Sequence, residues 1–390
     1  MKNILSCLLY ILSSFTIFGQ AKFDVTINFE GVDREFIVSV PTTPPPANGY
    51  PLVMMLHGTS GDKNVFYDAP GWKELGQSEN FVTVFPSSLK WCYDDEGITK
   101  KNTKFVCGDL IDKICPSDTS KLVNDVHFLR KVIELVSDTI NINQEKVFGC
   151  GFSNGCVMSY KNAMESGDVF KAVGGVAGIY HQLDSITPDV RVPFWVMIGN
   201  KDDRFIVPPF TELPFGGDSI LGYLNVTITR TLASMGLKNT FTKNENLLTK
   251  TYIFKECEPG IQCAPYILTL IKGMPHQFPN CTNFPIDAPK LFWHFFNNPP
   301  AVITATKTES DANPVLKCFP NPSSETITLS FSDKEQEKKV KIYNSFGALI
   351  KYIETNEPGL NLTKEEFGPG IYFVEVKTAF KKITDKFIFQ

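Results

Sequence analysis

Short, nearly continuous apolar runs alternate with amphipathic stretches along most of the chain. The first two runs, residues 23–29 and 35–40, flank a turn at Gly31-Val32-Asp33 and predict an antiparallel pair of strands. Later apolar runs occupy residues 52–56, 81–85, 147–150, 172–177, 194–198 and 266–271. Helical patterns separate several of them, at residues 124–139, 154–166, 221–235 and 288–296. Because strands buried on both faces give such uninterrupted runs, the pattern predicts an α/β fold, a mostly parallel, doubly wound sheet covered by helices.

The pattern changes towards the C-terminus, after a predicted first domain at residues 22–298. Residues 299–315 have the Thr, Ser, Ala and Pro content of a linker. Beyond them, short runs with turn residues between them lie at residues 326–331, 340–343, 349–353, 370–376 and 383–389. Residues 316–390 are therefore predicted to form a small all-β sandwich.

The N-terminus is typical of an export signal. Lys2 supplies the positive start, residues 4–18 are mostly apolar, and Gly19 and Ala21 are the small residues that a signal peptidase requires. We expect cleavage after Ala21, so that residues 1–21 form a signal peptide. The mature protein should then lie outside the cytoplasm, where disulfide bonds persist.

Composition and charge restrict the partners. Of the 390 residues, 43% are hydrophobic and 21% are charged, which suffices for one large core and a second module. The net charge of −4 and the pI of about 5.8 provide no basic field for nucleic acid or anionic lipid. No segment after the signal reaches the ~18 apolar residues of a membrane span. We therefore expect no nucleic-acid partner, no membrane span, and a neutral or polymeric substrate.

Nine of the ten cysteines remain after cleavage, so at least one has no partner within the chain. Cys150 and Cys156 lie on a predicted strand and a predicted helix and are expected to be packed thiols. Sequence cannot fix the connectivity of the others, but spacing favours Cys107–Cys115 and Cys257–Cys263, with Cys92–Cys281 as a looser possibility. No CxxC pair or zinc-like His/Cys cluster occurs, so we expect neither a metal nor a cofactor.

One short motif indicates a nucleophile. Gly151-Phe152-Ser153-Asn154-Gly155 follows the strand pattern of residues 147–150 and precedes a helical stretch. This G-x-S-x-G spacing at a strand-to-helix turn is that of a nucleophile elbow, which exposes the serine hydroxyl at the sheet edge. An ordinary Gly/Ser turn is the alternative, but the strand before the motif and the helix after it favour the elbow. Ser153 is thus the candidate nucleophile.

A serine hydroxyl needs a base at neutral pH, and the chain has five histidines. His276 follows the apolar run at residues 266–271 in a loop stiffened by Pro275 and Pro279. It should therefore reach the crevice at the carboxyl ends of the parallel strands, and we predict it to be the base. We predict other roles for the remaining histidines. His294 should lie in the core, His127 should be packed or solvated in mid-helix, and His57 should order a glycine-rich loop. His181 is a distant second candidate for the base.

The acid that orients the base should also end a strand. The run at residues 194–198 leads into Gly199-Asn200-Lys201-Asp202-Asp203-Arg204, where two adjacent carboxylates compete for this role. Only one can point at the imidazole, because successive side chains of an extended chain diverge. The Gly-x-x-Asp placement favours Asp202. The resulting order of serine, aspartate and histidine is the one expected for a hydrolase on such a sheet.

Two backbone N–H groups are candidates for an oxyanion hole. The segment His57-Gly58-Thr59-Ser60-Gly61 follows the run at residues 52–56 and can aim the N–H of Thr59 into the crevice. The N–H of Asn154 comes directly after the serine and is the second candidate. An ordinary strand-to-loop turn is the alternative for the first segment.

Trp91-Cys92-Tyr93 lies in a long insertion after Pro86. Trp91 is the candidate substrate-binding aromatic residue, since an exposed indole can line a binding face. Packing beneath a disulfide is an equally good interpretation of the same residue.

Five segments together carry a resemblance to a known family. In order and approximate spacing they resemble secreted polyhydroxybutyrate depolymerases and feruloyl or acetylxylan esterases of the α/β-hydrolase superfamily, over about residues 23–298. They are residues 56–61, 81–86, 124–129, 151–155 and 273–279. The chain departs from the usual family pattern at Cys156, which replaces a glycine, at Pro275, which replaces a glycine before the histidine, and at Phe278, which replaces a tryptophan. These departures alter the lining of the pocket and leave each catalytic group in place.

The C-terminal region carries a second resemblance. Its Pro-Asn-Pro start at residues 320–322 and the stretches at residues 341–347 and 370–374 resemble the C-terminal sorting domain of the type IX secretion system. This implies export by the type IX machinery as a partner, and a secreted or cell-surface protein. A carbohydrate-binding sandwich is the weaker alternative, kept open by Tyr343, Tyr352 and Tyr372.

These inferences lead to a hypothesis of function. The predicted activity is that of a secreted serine carboxylic ester hydrolase that acts through an acyl-enzyme on polymer-linked or small esters. Feruloyl or acetyl esters of plant polysaccharide and polyhydroxybutyrate are the rival substrates. A catalytically silent hydrolase fold that serves as a surface binding protein and a peptidase on the same fold are the alternatives.

Overall fold

A computed structural model describes residues 20–179, 186–304, 316–331, 337–345, 347–378 and 382–390. The chain divides into two compact units, residues 1–305 and 306–390. The strands of the first unit are Ala21–Phe29 (β1), Val32–Val40 (β2), Tyr50–Leu56 (β3), Val82–Pro86 (β4), Leu89–Asp95 (β5), Ile98–Lys104 (β6), Ile142–Phe152 (β7), Ala172–Val176 (β8), Phe194–Gly199 (β9), Thr242–Glu245 (β10), Thr249–Phe254 (β11) and Tyr266–Ile271 (β12). Its helices are Lys63–Asp68 (α1), Trp72–Glu79 (α2), Leu110–Lys113 (α3), Asp125–Thr139 (α4), Asn154–Glu165 (α5), Ser219–Tyr223 (α6), Asn225–Met235 (α7) and Ala288–Asn297 (α8), with a 3₁₀ turn at Pro116–Lys121.

A ten-stranded sheet organises the first unit, in the order β1-β2-β4-β3-β7-β8-β9-β12-β11-β10. The six central strands, from β4 to β12, are parallel, whereas β1, β2, β11 and β10 add antiparallel edges. Strands β3, β4, β8 and β12 are buried throughout, which is why their sequences are continuous apolar runs. The predicted α/β-hydrolase fold is confirmed, with β5 and β6 as an excursion from the sheet.

Helices cover both faces of this sheet. On one face α4, α5 and α7 contribute Val132, Met158 and Leu232 to a large apolar cluster. On the other face α2 and α8 contribute Trp72 and Phe292 to a second cluster. The doubly wound arrangement leaves the carboxyl ends of the central strands free for loops, and these loops carry the candidate chemistry.

Some elements differ from the predicted ones. The helix predicted at residues 221–235 is interrupted at Leu224, which separates α6 from α7. Strand β6 and the short edge strand β10 were not predicted, because β6 is mostly polar and β10 is exposed throughout. They pair as hairpins with β5 and β11 and so need no alternation of apolar and polar residues. Among the helices of the described residues, none is long and apolar enough to cross a membrane.

The second unit consists of two small sheets, β13-β14-β17 and β16-β15-β18-β19. Its elements are Leu316–Phe319 (β13), Thr326–Phe331 (β14), Lys338–Asn344 (β15), Leu349–Thr355 (β16), Gly359–Thr363 (β17), Lys364–Phe367 (α9), Gly370–Lys377 (β18) and Lys382–Phe389 (β19). Apolar residues such as Leu329, Ile342 and Val374 are buried in a common core. The predicted small all-β domain is confirmed. Tyr372 is buried in this core against Phe387, so it is not a surface aromatic residue.

Candidate active site

A strained turn between β7 and α5 presents Ser153. Its backbone has φ 53° and ψ −118°, a conformation that residues other than glycine rarely adopt. A Cβ atom at Gly151 would lie 2.1 Å from the carbonyl oxygen of Gly155, and one at Gly155 would lie 2.4 Å from that of Leu56. Both positions therefore require glycine, which explains the spacing of the motif in physical terms. The turn leaves Ser153 half-buried at the sheet edge.

His276 and Asp202 lie in line with this serine. The Nε2 atom of His276 is 3.0 Å from Ser153 Oγ, and its Nδ1 atom is 2.9 Å from both carboxylate oxygens of Asp202. Asp202 is fully buried, whereas the side chain of His276 is 20% exposed. A carboxylate that accepts the Nδ1 proton leaves the Nε2 lone pair directed at the hydroxyl. This geometry suits general-base activation of a nucleophile.

Two neighbouring loops hold Asp202 and His276 together. The Asn200 side chain accepts a hydrogen bond from the N–H of Gly273 at 2.6 Å, and Lys201 N–H donates to the carbonyl of Met274 at 3.1 Å. The loop after β9 is thereby joined to the loop after β12. Asn200, which is buried, was missed in the sequence, although its place directly after a strand could have marked it.

Of the two adjacent carboxylates, Asp202 contacts the imidazole and Asp203 does not take that place. Asp203 is exposed, and one of its carboxylate oxygens lies 3.6 Å from Arg204 Nε in a surface ion pair. Asp202 Oδ1 also accepts the N–H of Arg204 at 3.1 Å, which fixes the carboxylate within its own turn.

The glycine-rich segment after β3 lies beside the nucleophile. A Cβ atom at Gly58 would be 3.1 Å from Ser153 Cβ, so the backbone passes close to the serine there. Thr59 follows and is exposed. Asn154 is the first residue of α5, where N–H groups have no partner within the helix and carry partial positive charge. The N–H groups of Thr59 and Asn154 thus remain the predicted oxyanion donors.

His57 orders this segment from a buried position. Its Nδ1 atom is 2.7 Å from the carbonyl of Gly58, and its Nε2 atom accepts the N–H of Ser88 at 3.0 Å. The ring also packs on Phe105, with 4.9 Å between the centroids. Since the Gly58 carbonyl can only accept, Nδ1 carries the proton and the imidazole is neutral.

The burial of His57 should make stability fall in mild acid. Burial lowers the pKa of His57, against smaller opposing effects of the Gly58 carbonyl and of Asp62 and Asp125. As the pH falls below about 6.5, the unfolded chain binds a proton that the folded chain does not yet bind, so the free energy of unfolding decreases. We expect the melting temperature to fall less between pH 7.5 and 5.5 in His57→Gln than in the wild type. His127→Gln, which alters an exposed histidine, should keep the wild-type dependence.

The other histidines lie away from this site or outside the described residues. His294 is exposed on α8, so its predicted place in the core is wrong, because its helix turns that position towards solvent. His127 is solvated in the first turn of α4, not in mid-helix. His181 lies outside the described residues.

Two disulfide bonds join Cys92 to Cys115 and Cys257 to Cys263. The predicted Cys257–Cys263 pair is confirmed, whereas Cys107–Cys115 and Cys92–Cys281 are wrong. Cys115 donates its N–H to the carbonyl of Cys92, and its neighbour Ile114 bridges to Tyr93, so the segment after α3 runs beside β5 and brings the two cysteines together. Cys107 is buried outside both disulfides and accepts a hydrogen bond from Asn154 Nδ2 at 3.2 Å, whereas Cys281 is exposed and forms no disulfide within the described residues.

Trp91 is not available to a substrate. It is 1% exposed, packs with Tyr93 and Leu110, and donates its indole N–H to the carbonyl of Lys104 at 2.9 Å. The predicted substrate-binding role is therefore wrong, because the insertion buries its own aromatic residues in a small core.

Instead, other aromatic side chains lie next to the histidine. Phe152, the residue before the nucleophile, has its ring centroid 5.1 Å from that of His276. Phe66 lies 5.0 Å from Phe278 and 6.3 Å from Phe152. Sequence reasoning missed this cluster, although the position of Phe152 inside the motif was a signal for it. Phe152 packs on the imidazole, and the buried side chains of Phe66 and Phe278 pack on Phe152.

Cys156, which replaces a glycine after the motif, has room for its side chain because two glycines lie against it. A Cβ atom at Gly178 would lie 2.6 Å from Cys156 Cβ, and one at Gly175 would lie 2.2 Å from its sulfur. Cys150 and Cys156 are fully buried, which confirms their prediction as packed thiols. Burial raises the pKa of both thiols, so neither supplies a thiolate near Ser153 at neutral pH.

Comparison with known proteins supports both resemblances. Residues 317–390 match the family described as secretion system C-terminal sorting domain. This match indicates that the protein is secreted or held at the cell surface.

The chain also matches two curated relatives. The chain is 24% identical over 176 residues to the bifunctional acetylxylan esterase/xylanase XynS20E of Neocallimastix patriciarum, a match that covers 45% of this chain and 22% of the relative. It is 26% identical over 133 residues to poly(3-hydroxyalkanoate) depolymerase C of Paucimonas lemoignei, covering 34% and 28%. The chain thus spans about a quarter of the length of these relatives. Among solved structures, acetyl xylan esterase from Aspergillus awamori aligns with a TM-score of 0.48 and 16% identity, over 71% of this chain and 99% of that one.

Proposed function

We propose that this protein is a secreted carboxylic ester hydrolase that uses Ser153 as its nucleophile, His276 as its base and Asp202 as the acid that orients the base. The observation that carries the proposal is the continuous chain of hydrogen bonds, 3.0 Å from serine to histidine and 2.9 Å from histidine to a fully buried aspartate. A binding scaffold gains nothing from such an arrangement on a strained elbow, whereas acyl transfer needs it.

The reaction has two halves. Ser153 Oγ attacks the ester carbonyl while His276 Nε2 takes its proton, and the N–H groups of Thr59 and Asn154 stabilise the tetrahedral oxyanion. Collapse expels the alcohol, which leaves with the proton that His276 returns to it. Water then attacks the acyl-enzyme with His276 as base again, and the carboxylic acid is released from Ser153.

Polymer-linked esters are the proposed substrates. One relative is named for acetylxylan and the other for poly(3-hydroxyalkanoate), and a sorting domain places the enzyme outside the cell, where such polymers are found. The ring of Phe152, which is half-buried beside His276, is compatible with a phenolic acyl group such as feruloyl. We further propose the type IX secretion machinery as the partner of residues 317–390.

Two measurements on the purified mature protein test the activity. It should hydrolyse short p-nitrophenyl esters, and a fluorophosphonate probe should label one residue, Ser153, as located by mass spectrometry of peptides. Absence of both turnover and labelling in folded protein would favour the silent binding scaffold. Faster cleavage of peptides than of esters would favour a peptidase.

Product analysis tests the substrate class. The enzyme is incubated separately with feruloylated xylan, acetylated xylan and polyhydroxybutyrate, and the released ferulate, acetate or 3-hydroxybutyrate is measured. Release of one product at a rate well above the others identifies the acyl group. Release of none, with p-nitrophenyl esters still cleaved, would reject polymer esters and retain the esterase.

A further inference from the structure

Arg34 on β2 and Asp125 at the start of α4 form an ion pair inside the first unit. Arg34 Nη2 lies 2.7 Å from Asp125 Oδ1, and the two side chains are 0% and 2% exposed. The guanidinium also lies over the ring of Phe128, 3.7 Å from its centroid. Among the described residues, Nε and Nη1 of Arg34 find no hydrogen-bond partner. Burying a charged pair costs solvation that incomplete pairing does not recover, so stability alone gives no reason for this pair.

The second oxygen of Asp125 binds a backbone segment that contacts Asn154, the residue after Ser153. Asp125 Oδ2 accepts the N–H of Val106 at 2.6 Å. The residue before it, Phe105, is held by the side chain of Asn154, which accepts the Phe105 N–H at 2.7 Å and donates to the Phe105 carbonyl at 3.1 Å. The segment at residues 105–106 is therefore fixed on one side by the ion pair and on the other by the residue that follows the nucleophile.

The same ion pair reaches the other side of the predicted oxyanion hole. Arg34 Nη2 donates to the carbonyl of Ser87 at 3.3 Å, and the next N–H, that of Ser88, donates to Nε2 of His57. His57 in turn holds the carbonyl of Gly58 and packs on Phe105. Thus two backbone segments, residues 57–58 beside Ser153 and residues 105–106 beside Asn154, are both connected to the buried ion pair of Arg34 and Asp125.

We propose that Arg34 and Asp125 are positioning residues, which hold the backbone N–H groups of Asn154 and Thr59 where the oxyanion forms. The inference rests on the proposed function, because it assigns those N–H groups to the reaction. It also gives a role to the Asn124-Asp125 motif, which sequence analysis singled out only as part of a resemblance. A carboxylate suits this place because it accepts from an arginine and from a backbone N–H at once.

The test compares Asp125→Asn, Asn154→Ala and the double variant. Asp125→Asn keeps an acceptor of the same size and removes the charge, whereas Asn154→Ala removes the side-chain clamp and keeps the backbone N–H. Each should lower kcat per fluorophosphonate-titrated site by roughly 10- to 100-fold while KM stays within about twofold, because misplaced donors weaken only transition-state binding. The double variant should lose no more than about the larger single loss, because both changes release the same segment.

Active-site titration separates positioning from a merely structural role, which would lower the number of titrated sites and leave kcat per site unchanged. Arg130→Met is the matched control. Arg130 lies on the same helix as Asp125 and forms a surface ion pair with Asp168, which follows α5, so the variant should keep wild-type kcat. If Asp125→Asn does not fold, Arg34→Lys replaces it, which keeps the charge and loses the planar fork.

Wild-type kcat per site in the single variants, or losses that multiply in the double variant, would overturn the proposal. The proposed function fails separately, by absence of turnover and labelling in the wild type.

Discussion

Replacing Ser153 by alanine should lower kcat for p-nitrophenyl ester hydrolysis by about 10⁶-fold, the size of loss that removal of a serine nucleophile produces. The reason is geometric. His276 Nε2 has one hydroxyl in line at 3.0 Å, and without Oγ no acyl-enzyme can form. Residual turnover from the oxyanion donors and from binding should stay well below the wild-type rate. So slow a rate is measured in stopped assays that run for hours. The variant must be purified free of contaminating esterases.

Labelling by the fluorophosphonate probe should disappear in the same variant. Ser137→Ala is a suitable control, because Ser137 lies in the last turn of α4, where its hydroxyl accepts a hydrogen bond from the Gln144 side chain at 2.9 Å. It should label and turn over as the wild type does. A Ser153→Ala protein that still labels, or that keeps more than about a hundredth of the wild-type kcat, would contradict the assignment of the nucleophile.

The central sheet could be predicted because burial on both faces is visible in sequence. β8 and β12 are buried at every position, and their apolar runs gave their bounds to within a residue. The elbow could be predicted for a different reason. Steric contacts at Gly151 and Gly155 allow no side chain, so the two glycines mark the turn directly.

Strands β6 and β10, which escaped prediction, are stabilised by pairing and not by a hydrophobic pattern. β6 is a polar strand held by its hairpin with β5. Cys92 on β5 meets Cys115, 23 residues away, because the segment after α3 bridges to β5 through Ile114 and Tyr93. Spacing favoured nearer cysteines, but Cys107 is held beside Asn154 instead. For Trp91 the sequence left a binding role and packing beneath a disulfide equally open, because it does not reveal that an insertion has a core of its own.

The candidate site could be predicted only in part. The predicted strand ends indicated where Ser153, Asp202 and His276 should lie, and hydrogen bonds join the three side chains in the structure. The residues that support them, Asn200 and Phe152, were missed because their contacts join loops distant in sequence. A motif identifies a reacting group, whereas its supporting residues depend on which loops meet.

Replacing Asp202 by asparagine should lower kcat by about 10⁴-fold, because the amide favours the His276 tautomer that carries its proton on Nε2 and not on Nδ1. Asp202 accepts the Nδ1 proton of His276 at 2.9 Å, which leaves Nε2 free to take the serine proton. An asparagine can turn its NH₂ group to Nδ1, and the imidazole proton then moves to Nε2, where it faces Ser153 Oγ. The variant should fold, since the two side chains have nearly the same shape, and its melting temperature checks this.

Asp203→Asn is the matched control for this prediction. It makes the same chemical change one residue along the chain, at an exposed carboxylate whose neighbour is Arg204 at 3.6 Å. Exposed pairs of this kind contribute little, so kcat should stay within about twofold of the wild type. Equal losses in the two variants would show that charge near the loop matters, and not the bond to His276. A loss confined to Asp203→Asn would move the orienting role to the residue that sequence left as the competitor.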